Sequence, residues 1–174
     1  MLAAPGAALP PGSPAGTPDG FCLTNAAQVL GLSPLQTRKP QPVRIRGRIT
    51  SYDPGWVLFV QDETAGVFVD YTGQPLPVRP EQAVEVTGLA TQGRYSPIIS
   101  SPSIRPLASA PSLRPRPVTL AQVYLGGLDA QWVELTGVVR HEQVVEDRLE
   151  LELADPPYHL SVWIPKFAGQ GNEP

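Results

Sequence analysis

Proline is the residue type that most limits what this chain can form. It accounts for 22 of the 174 residues and is concentrated in three stretches, 1–20, 75–80 and 97–117. Because proline fixes φ and has no backbone donor, these stretches exclude long helices and central strands. The segments between them are rich in β-branched and aromatic residues, which favours short strands. The sequence therefore predicts an all-β protein.

Five short strands are predicted in the first half of the chain. The first, 43–52, alternates apolar residues with arginines, and 56–71 predicts a hairpin with the turn ETAG. The segment 83–93 alternates again, and 98–107 supplies an edge strand interrupted by proline. Two of these strands contain a glycine, which lets a strand bend sharply. The pattern is typical of a five-stranded Greek-key barrel.

The motif V-x-h-x-G, in which h is apolar, occurs at 43–47, 84–88 and 133–137. Short helices are predicted before the first and third copies, at 25–32 and 119–127. Each begins with an N-cap residue that is followed three residues later by glutamine, and each ends at glycine. The helices are 94 residues apart and the strands 90. This repetition indicates an internal duplication.

The second unit is predicted to be incomplete. The segments 147–155 and 158–165 correspond to the first hairpin, and HEQVVED, 141–147, is expected to be a polar loop. No counterpart of VEVTG or of a fifth strand follows. A three-stranded fragment would leave an open edge and a half-covered core. We therefore expect the chain to be a piece of a longer protein, or its missing strands to come from elsewhere.

Charge and composition limit the functions that are open to the chain. A net charge of -3 and a pI near 5.3 argue against a general nucleic-acid binder. Residues 38–116 carry ten Lys/Arg against six Asp/Glu, whereas residues 117–174 carry three against nine. Cys22, the single cysteine, cannot form an intrachain disulfide, and no apolar stretch reaches the ~18 residues of a membrane span.

No catalytic or metal-binding constellation is recognisable. His141 and His159 are far apart, and Cys22 has no metal-ligand spacing. Asp62 and Glu63 are adjacent carboxylates, but the context QDETAG favours a turn role for Asp62, whose side chain can bond nearby backbone N–H groups. We therefore expect a protein that is not an enzyme and that holds no cofactor or metal.

A few basic and aromatic residues form the candidate ligand site. The alternation along the first strand places Arg44, Arg46 and Arg48 on one face if Gly47 does not reset it, and Phe68 is expected to point out of the barrel. Barrels of this type bind ligands over strands two and three and the adjoining loops. The candidate ligand-binding residues are Arg44, Arg46, Tyr52, Trp56, Phe68, Arg94 and Tyr95.

A structural role is the favoured alternative for these side chains. Arginines that alternate along a strand often form only its solvated face. Trp56 and Phe59 are expected to close the barrel rather than to contact a ligand. The net negative charge of residues 117–174 also works against a continuous cationic track for a nucleic-acid strand.

The motifs carry a family resemblance. V-x-h-x-G at the first strand, the hairpin WVLFVQDETAGVFVDY and V-x-V-x-G at the fourth strand resemble the OB-fold pattern of anticodon-binding and helicase-associated domains, over 43–107 and in part over 133–165. The run LTNAAQVLGLS with PVRIRGRITSYDPGWVLFVQDETAGVFVD, followed by PVTLAQVYLGGLDAQWVELTGVVR, resembles the tandem OB-like region in front of bacterial membrane-bound sensor histidine kinases. This resemblance implies an extracytoplasmic, periplasmic position within a larger signalling protein.

The expected organisation has four parts. A flexible Pro/Ala/Gly-rich segment, 1–22, precedes a five-stranded OB-like domain with its leading helix, 23–107. A proline-rich linker, 108–117, leads to a truncated OB-like unit, 118–174. The expected function is a non-catalytic binding or interaction module with an unidentified ligand or protein partner. The alternative is a nucleic-acid-binding OB domain, which would be cytoplasmic and which the net charge disfavours.

Overall fold

The computed structural model describes residues 21–165. The segment 1–22, expected to be flexible, therefore lies almost wholly outside the described residues. The elements, in chain order, are α1 (Ala26–Leu30), β1 (Gln41–Asp53), β2 (Val57–Gln61), β3 (Gly66–Phe68), β4 (Ala83–Gln92), β5 (Pro97–Pro106), β6 (Arg116–Val118), α2 (Leu120–Tyr124), β7 (Val133–Leu135), β8 (Val138–Val145), β9 (Arg148–Asp155) and β10 (Tyr158–Ile164). The predicted all-β class with a short helix before each unit is confirmed.

The first unit is one antiparallel sheet with the strand order β3-β2-β1-β4-β5. Its two edges approach each other at a parallel bridge between Val69 and Ile99, where the Asp70 N–H donates to the Ile99 carbonyl at 2.8 Å. This contact is a single bridge rather than a full ladder. The topology is that of the predicted five-stranded Greek-key, OB-like barrel.

The barrel interior is filled by the alternate residues of its strands. In β1, Val43, Ile45 and Ile49 are at most 2% exposed, whereas the arginines between them face solvent. Gly47 therefore does not reset the alternation, and the prediction of one arginine face is confirmed. Each fully buried Val or Ile contributes about 1.5–3 kcal/mol relative to an exposed one. The other strands supply further core residues: Leu58, Val60, Val67, Val69, Val84, Val86, Ala90 and Ile99.

Helix α1 depends on both its own cap and the β2–β3 turn. The predicted capping box is present, because the Asn25 side chain accepts from the Gln28 N–H and the Gln28 side chain accepts from the Asn25 N–H. In addition, Asp62 Oδ2 accepts from the Ala26 N–H at 2.7 Å. Asp62 Oδ1 accepts from the Thr64 N–H at 2.8 Å, which confirms the turn role of Asp62. One carboxylate thus joins the hairpin to the helix.

The second unit repeats the start of the first. Thr119 and Gln122 form the second capping box, as predicted. Strand β6 pairs in parallel with β7, just as Leu23 bridges Val43 in the first unit. The remaining strands form a sheet in the order β10-β9-β8, and no strand of residues 21–165 stands in the place of β4 or β5. The duplication is therefore incomplete over the part of the chain that the structure describes.

The expectation of a polar loop at 141–147 is wrong. Strand β8 continues through Val145, and only Glu146 and Asp147 remain for the turn. The reason is that Val144 pairs with Leu149 and Val145 with Arg148, so that two more cross-strand pairs extend the ladder. His141, Glu142 and Gln143 are consecutive residues of β8, and their side chains lie on alternate faces of the strand.

The two copies of the motif glycine predict a matched difference in stability. A Cβ on Gly47 would lie 2.3 Å from the Gln61 carbonyl oxygen, whereas a Cβ on Gly137 would meet its neighbours at 3.4 Å or more. We expect Gly47→Ala to lower the free energy of unfolding by about 1–3 kcal/mol, because backbone must move to admit the methyl group. Gly137→Ala should leave it within about 1 kcal/mol. Urea denaturation of both variants measures this, and equal losses would contradict it.

Candidate ligand-binding site

A cleft of about 540 Å³ opens on the outer face of β2 and β3. It lies between the β1–β2 turn and the β4–β5 turn, where a barrel of this topology offers its usual binding surface. The residues that line it are Trp56, Val57, Phe59, Phe68, Arg94, Tyr95, Ser96, Ile98 and Asp129. The cleft therefore brings together four of the seven candidate residues: Trp56, Phe68, Arg94 and Tyr95.

The floor of the cleft is an aromatic pair. Phe59 on β2 and Phe68 on β3 are directly opposite each other in the ladder, with ring centroids 5.5 Å apart and planes at 67°. Both rings stand outside the barrel because Leu58, Val60 and Val67 occupy the inward positions. Phe68 thus points outward, as its parity predicts, whereas the expectation that Phe59 closes the barrel is wrong.

The β1–β2 turn presents Trp56 at one rim. The Trp56 N–H donates to the Asp53 carbonyl at 3.0 Å, with Pro54 and Gly55 at the central positions of the turn. Gly55 has φ +80°, a conformation that glycine adopts without steric cost. The Trp56 side chain consequently lies outside the barrel and is 69% exposed. The expectation that it closes the barrel is therefore also wrong.

The β4–β5 turn forms the opposite rim. Tyr95 is 79% exposed, and the Arg94 guanidinium lies 5.2 Å from the centroid of its ring. This distance allows a cation–π contact. Large aromatic side chains that stay exposed around an apolar floor offer flat surfaces on which a ring can stack.

The second unit contributes two charged residues to this region. Asp129, in the segment between α2 and β7, accepts a hydrogen bond from the Ser96 hydroxyl. The Arg148 guanidinium lies 4.2 Å from the Trp56 ring centroid and donates to Asp53 Oδ2 at 2.7 Å. Sequence reasoning missed both residues because they belong to the other repeat. No local pattern in the sequence marks them.

Hydrogen bonds between backbone groups and glutamine side chains hold the second unit against the β2–β3 hairpin. The Gly66 N–H donates to Gln131 Oε1 at 3.1 Å, and Gln131 Nε2 donates to the Gly66 carbonyl at 3.3 Å. The Trp132 N–H donates to Gln61 Oε1 at 2.7 Å. A Cβ on Gly66 would lie only 1.9 Å from the Ala130 carbonyl oxygen. The wall of the cleft is therefore positioned by a close approach that requires glycine.

Three of the candidate residues lie away from the cleft. The Tyr52 hydroxyl accepts a hydrogen bond from the Leu76 N–H at 2.7 Å, and the side chain packs against the barrel core. Tyr52 therefore has a structural role.

Arg44 and Arg46 line a separate depression near the β2–β3 turn. Arg48, on the same face, donates to three carbonyl groups, those of Glu81, Ala110 and Pro111. It therefore ties residues 110–111 to the barrel.

Arg44 and Arg46 are bound to a shared carboxylate. Glu85 on β4 has a side chain only 6% exposed and accepts from Arg46 Nε at 2.8 Å, from Arg105 Nη2 at 2.9 Å and from Arg44 Nη2 at 3.3 Å. The hydrogen bonds from Arg46, Arg105 and Arg44, in that order, lower the pKa of Glu85 from 4.5 to about 2, against the opposing effect of burial. Sequence reasoning missed Glu85, although its place in the second V-x-h-x-G copy set it opposite Arg46.

Residues 21–165 contain neither a metal-ligand cluster nor a helix that could span a membrane. No group of three or more His, Cys, Asp or Glu side chains in this range is placed to hold a metal ion. Neither five-residue helix of the described segment is long enough to cross a membrane.

The Glu85 cluster predicts a specific pH dependence of stability. Because the folded pKa of Glu85 lies below its usual value, the ionised carboxylate stabilises the fold above about pH 4.5, and this contribution is lost as the pH falls toward 2. We expect Glu85→Gln to be less stable than the wild type at pH 7, and the difference to shrink between pH 4.5 and 2. Thermal unfolding at a series of pH values measures it. Glu63→Gln, at an exposed turn carboxylate, is the control, and an identical pH profile for both variants would contradict the prediction.

Comparisons with known proteins give little further information. No protein-family model matches the chain, and no curated protein matches it. Among solved structures, the chain is similar to the hypothetical protein ygiW from E. coli, with 22% sequence identity and a TM-score of 0.41. The match covers 52% of this chain and 94% of that one. Any inference about function therefore depends on the residues of the chain itself.

Proposed function

We propose that this chain is a non-catalytic binding module that uses the cleft on β2 and β3 as its ligand site. The observation that supports this most strongly is the arrangement of Trp56 and Tyr95, which stay largely exposed on opposite rims above the Phe59–Phe68 floor. Burying apolar surface of such rings stabilises a protein or a complex by about 25 cal/mol for each Å² removed from water. A ligand that covers them would recover that free energy.

The lining of the cleft indicates the chemistry of the ligand. Its residues are predominantly apolar, with one arginine, Arg94, and one aspartate, Asp129, near the rims. The fitting ligand has at least one flat ring and carries little net charge. A polyanion fits less well, because Arg44 and Arg46 share Glu85 at a distance from the cleft, and residues 117–174 are acidic.

The proposed setting is the extracytoplasmic sensory region of a larger bacterial signal-transduction protein of the histidine kinase type. The support is the tandem helix-plus-strand repeat, whose resemblance to such regions extends over both units. Two capping boxes and two parallel β contacts recur in the same order. Protease treatment of intact spheroplasts that express the native gene tests this position. The proposal expects the module to be degraded, and complete protection would overturn it.

The cleft itself is tested with an uncharged flat aromatic probe, 2-naphthol, whose binding is monitored through backbone-amide NMR shifts. We expect saturable shifts at Trp56, Phe68 and Ser96. Trp56→Ala should weaken binding at these amides about tenfold or more, since stacking on one aromatic ring contributes about 1–3 kcal/mol. The matched control is Trp163→Ala, which removes an exposed tryptophan from β10 and should leave these shifts unchanged.

A second titration, with a twelve-nucleotide deoxythymidine strand at low salt, tests the nucleic-acid alternative. Weak binding that does not depend on Arg44 or Arg46 is expected. Tight binding that falls steeply with salt and is lost in Arg44→Ala and Arg46→Ala would instead establish nucleic acid as the ligand. Equal loss of the aromatic probe in Trp56→Ala and Trp163→Ala would remove the cleft from consideration.

A further inference from the structure

Strand β8 has an open edge. Strand β9 pairs with one edge of β8, and no strand within residues 21–165 pairs with the other. All eight residues of β8 are exposed, and its four valines, Val138, Val139, Val144 and Val145, are between 41% and 56% exposed. An unpaired edge with exposed β-branched side chains is a template for another strand.

The first unit does not offer the same edge. With the offset of 90 residues, Val138–Val145 corresponds to positions 48–55, where β1 ends at Asp53 and is followed by Pro54 and Gly55. Proline and glycine stop a strand from pairing further. In the second unit these two positions are Val144 and Val145, which lengthen the strand. The extended valine-rich edge is therefore a feature that only the second copy has.

The sequence of β8, VVRHEQVV, begins and ends with two valines. Valines occupy both ends, so an antiparallel pairing of two such strands sets valines against valines. The cross-strand partners in β9 define the faces, because residues that pair share a face. Val139, Glu142 and Val144 pair with Leu153, Leu151 and Leu149 and lie on the leucine face. The opposite face carries Val138, His141, Gln143 and Val145, and Arg140 is the extra residue of a bulge.

These faces allow one symmetric register across the whole strand. A two-fold axis perpendicular to the sheet pairs only residues of the same face. Arg140, the bulge residue, stays unpaired, and the other residues of β8 all pair only if the axis passes between the two copies of Glu142, which is the middle residue of that set. Across the axis, Val138 meets Val145, Val139 meets Val144, and His141 meets Gln143 of the second copy. Two arginines and two glutamates then lie near the axis, so that the formal charge there is zero with histidine neutral.

We propose that two copies of this chain associate by antiparallel pairing of β8 with β8, with the two-fold axis at Glu142. The interface is isologous and therefore closes as a dimer instead of propagating. It joins the two three-stranded sheets into one sheet of six strands and satisfies the open backbone groups of both edges. The dimer does not involve the ligand cleft, so its failure would leave the proposed binding function intact.

Sedimentation of the full 174-residue chain over a range of concentrations tests the dimer. We expect a reversible monomer–dimer equilibrium. Val144→Lys should weaken it at least severalfold, because each dimer loses two Val139–Val144 pairs and gains buried charge. Glu142→Val should strengthen it, since like charges opposite each other are destabilising. The control, Leu125→Lys, changes a residue 86% exposed outside β8 and should have no effect.

Disulfide trapping tests the register and does not require the lysine variant to fold. On a Cys22→Ser background, Glu142→Cys should form an intermolecular disulfide on mild oxidation, because directly opposed residues have the Cα separation that a disulfide needs. Gln143→Cys should form much less, because Gln143 lies opposite His141 of the second copy and the two copies of residue 143 are offset by two residues along the strands. A monomer at every concentration would overturn the proposal and leave the edge to residues 166–174 or to another protein. A dimer that survives Val144→Lys, or equal trapping at 142 and 143, would also overturn it.

Discussion

The arrangement of the whole molecule depends on the close approach of chains around the β2–β3 hairpin. On one side, the Gln61 backbone lies so near Gly47 that no side chain fits between them, which lets β1 coil across the barrel. At its turn, Asp62 binds the first turn of α1. On the other side, Gly66 meets the segment 130–132 of the second unit. The hairpin contacts neighbouring backbone closely at both Gly47 and Gly66. It therefore cannot move far without disturbing the core, the helix and the second unit together.

The same hairpin also carries the floor of the cleft. Phe59 and Phe68 are fixed by the ladder that places Val60 and Val67 inside the barrel. The rims, in contrast, belong to turns, and one wall belongs to the second unit. Packing forces therefore determine the floor, whereas the rims depend on turn chemistry and on a few polar contacts such as Arg148 with Asp53. The cleft therefore combines a floor fixed by the barrel core with rims that depend on turns and on the second unit.

The sequence predicted the elements that depend on local periodicity, and it failed where residues distant along the chain meet. Alternation in β1 was enough to place Val43 and Ile45 inside and the arginines outside, and the capping boxes marked both helices. The role of Glu85 was not visible in the same way, because a carboxylate in a strand does not show which arginines it will bind. Asp129 and Arg148 were missed for a similar reason, since nothing in their own repeat indicates contact with the other unit. Trp56 and Phe59 do not lie in the interior, because the barrel is filled mainly by Val, Ile and Leu with a few alanines, and aromatic rings such as Tyr52 only pack against that core.

The duplication shows how one motif can serve two purposes. In the first copy, arginines occupy the outward positions of the motif and neutralise Glu85 across the β1–β4 ladder, so the outer face of the sheet is satisfied within the unit. In the second copy the corresponding positions are Glu134 and Thr136, and no β4-like strand stands beside β7 within residues 21–165. In the first copy, β1 thus has a partner strand on each side, and its motif arginines have a carboxylate partner. The second keeps the apolar alternation but leaves backbone groups of β8 without a partner strand. Backbone N–H and C=O groups are costly to bury without a hydrogen-bond partner, and an open strand edge pairs readily with another strand. The second unit is therefore the part of this chain whose structure depends most on what it contacts.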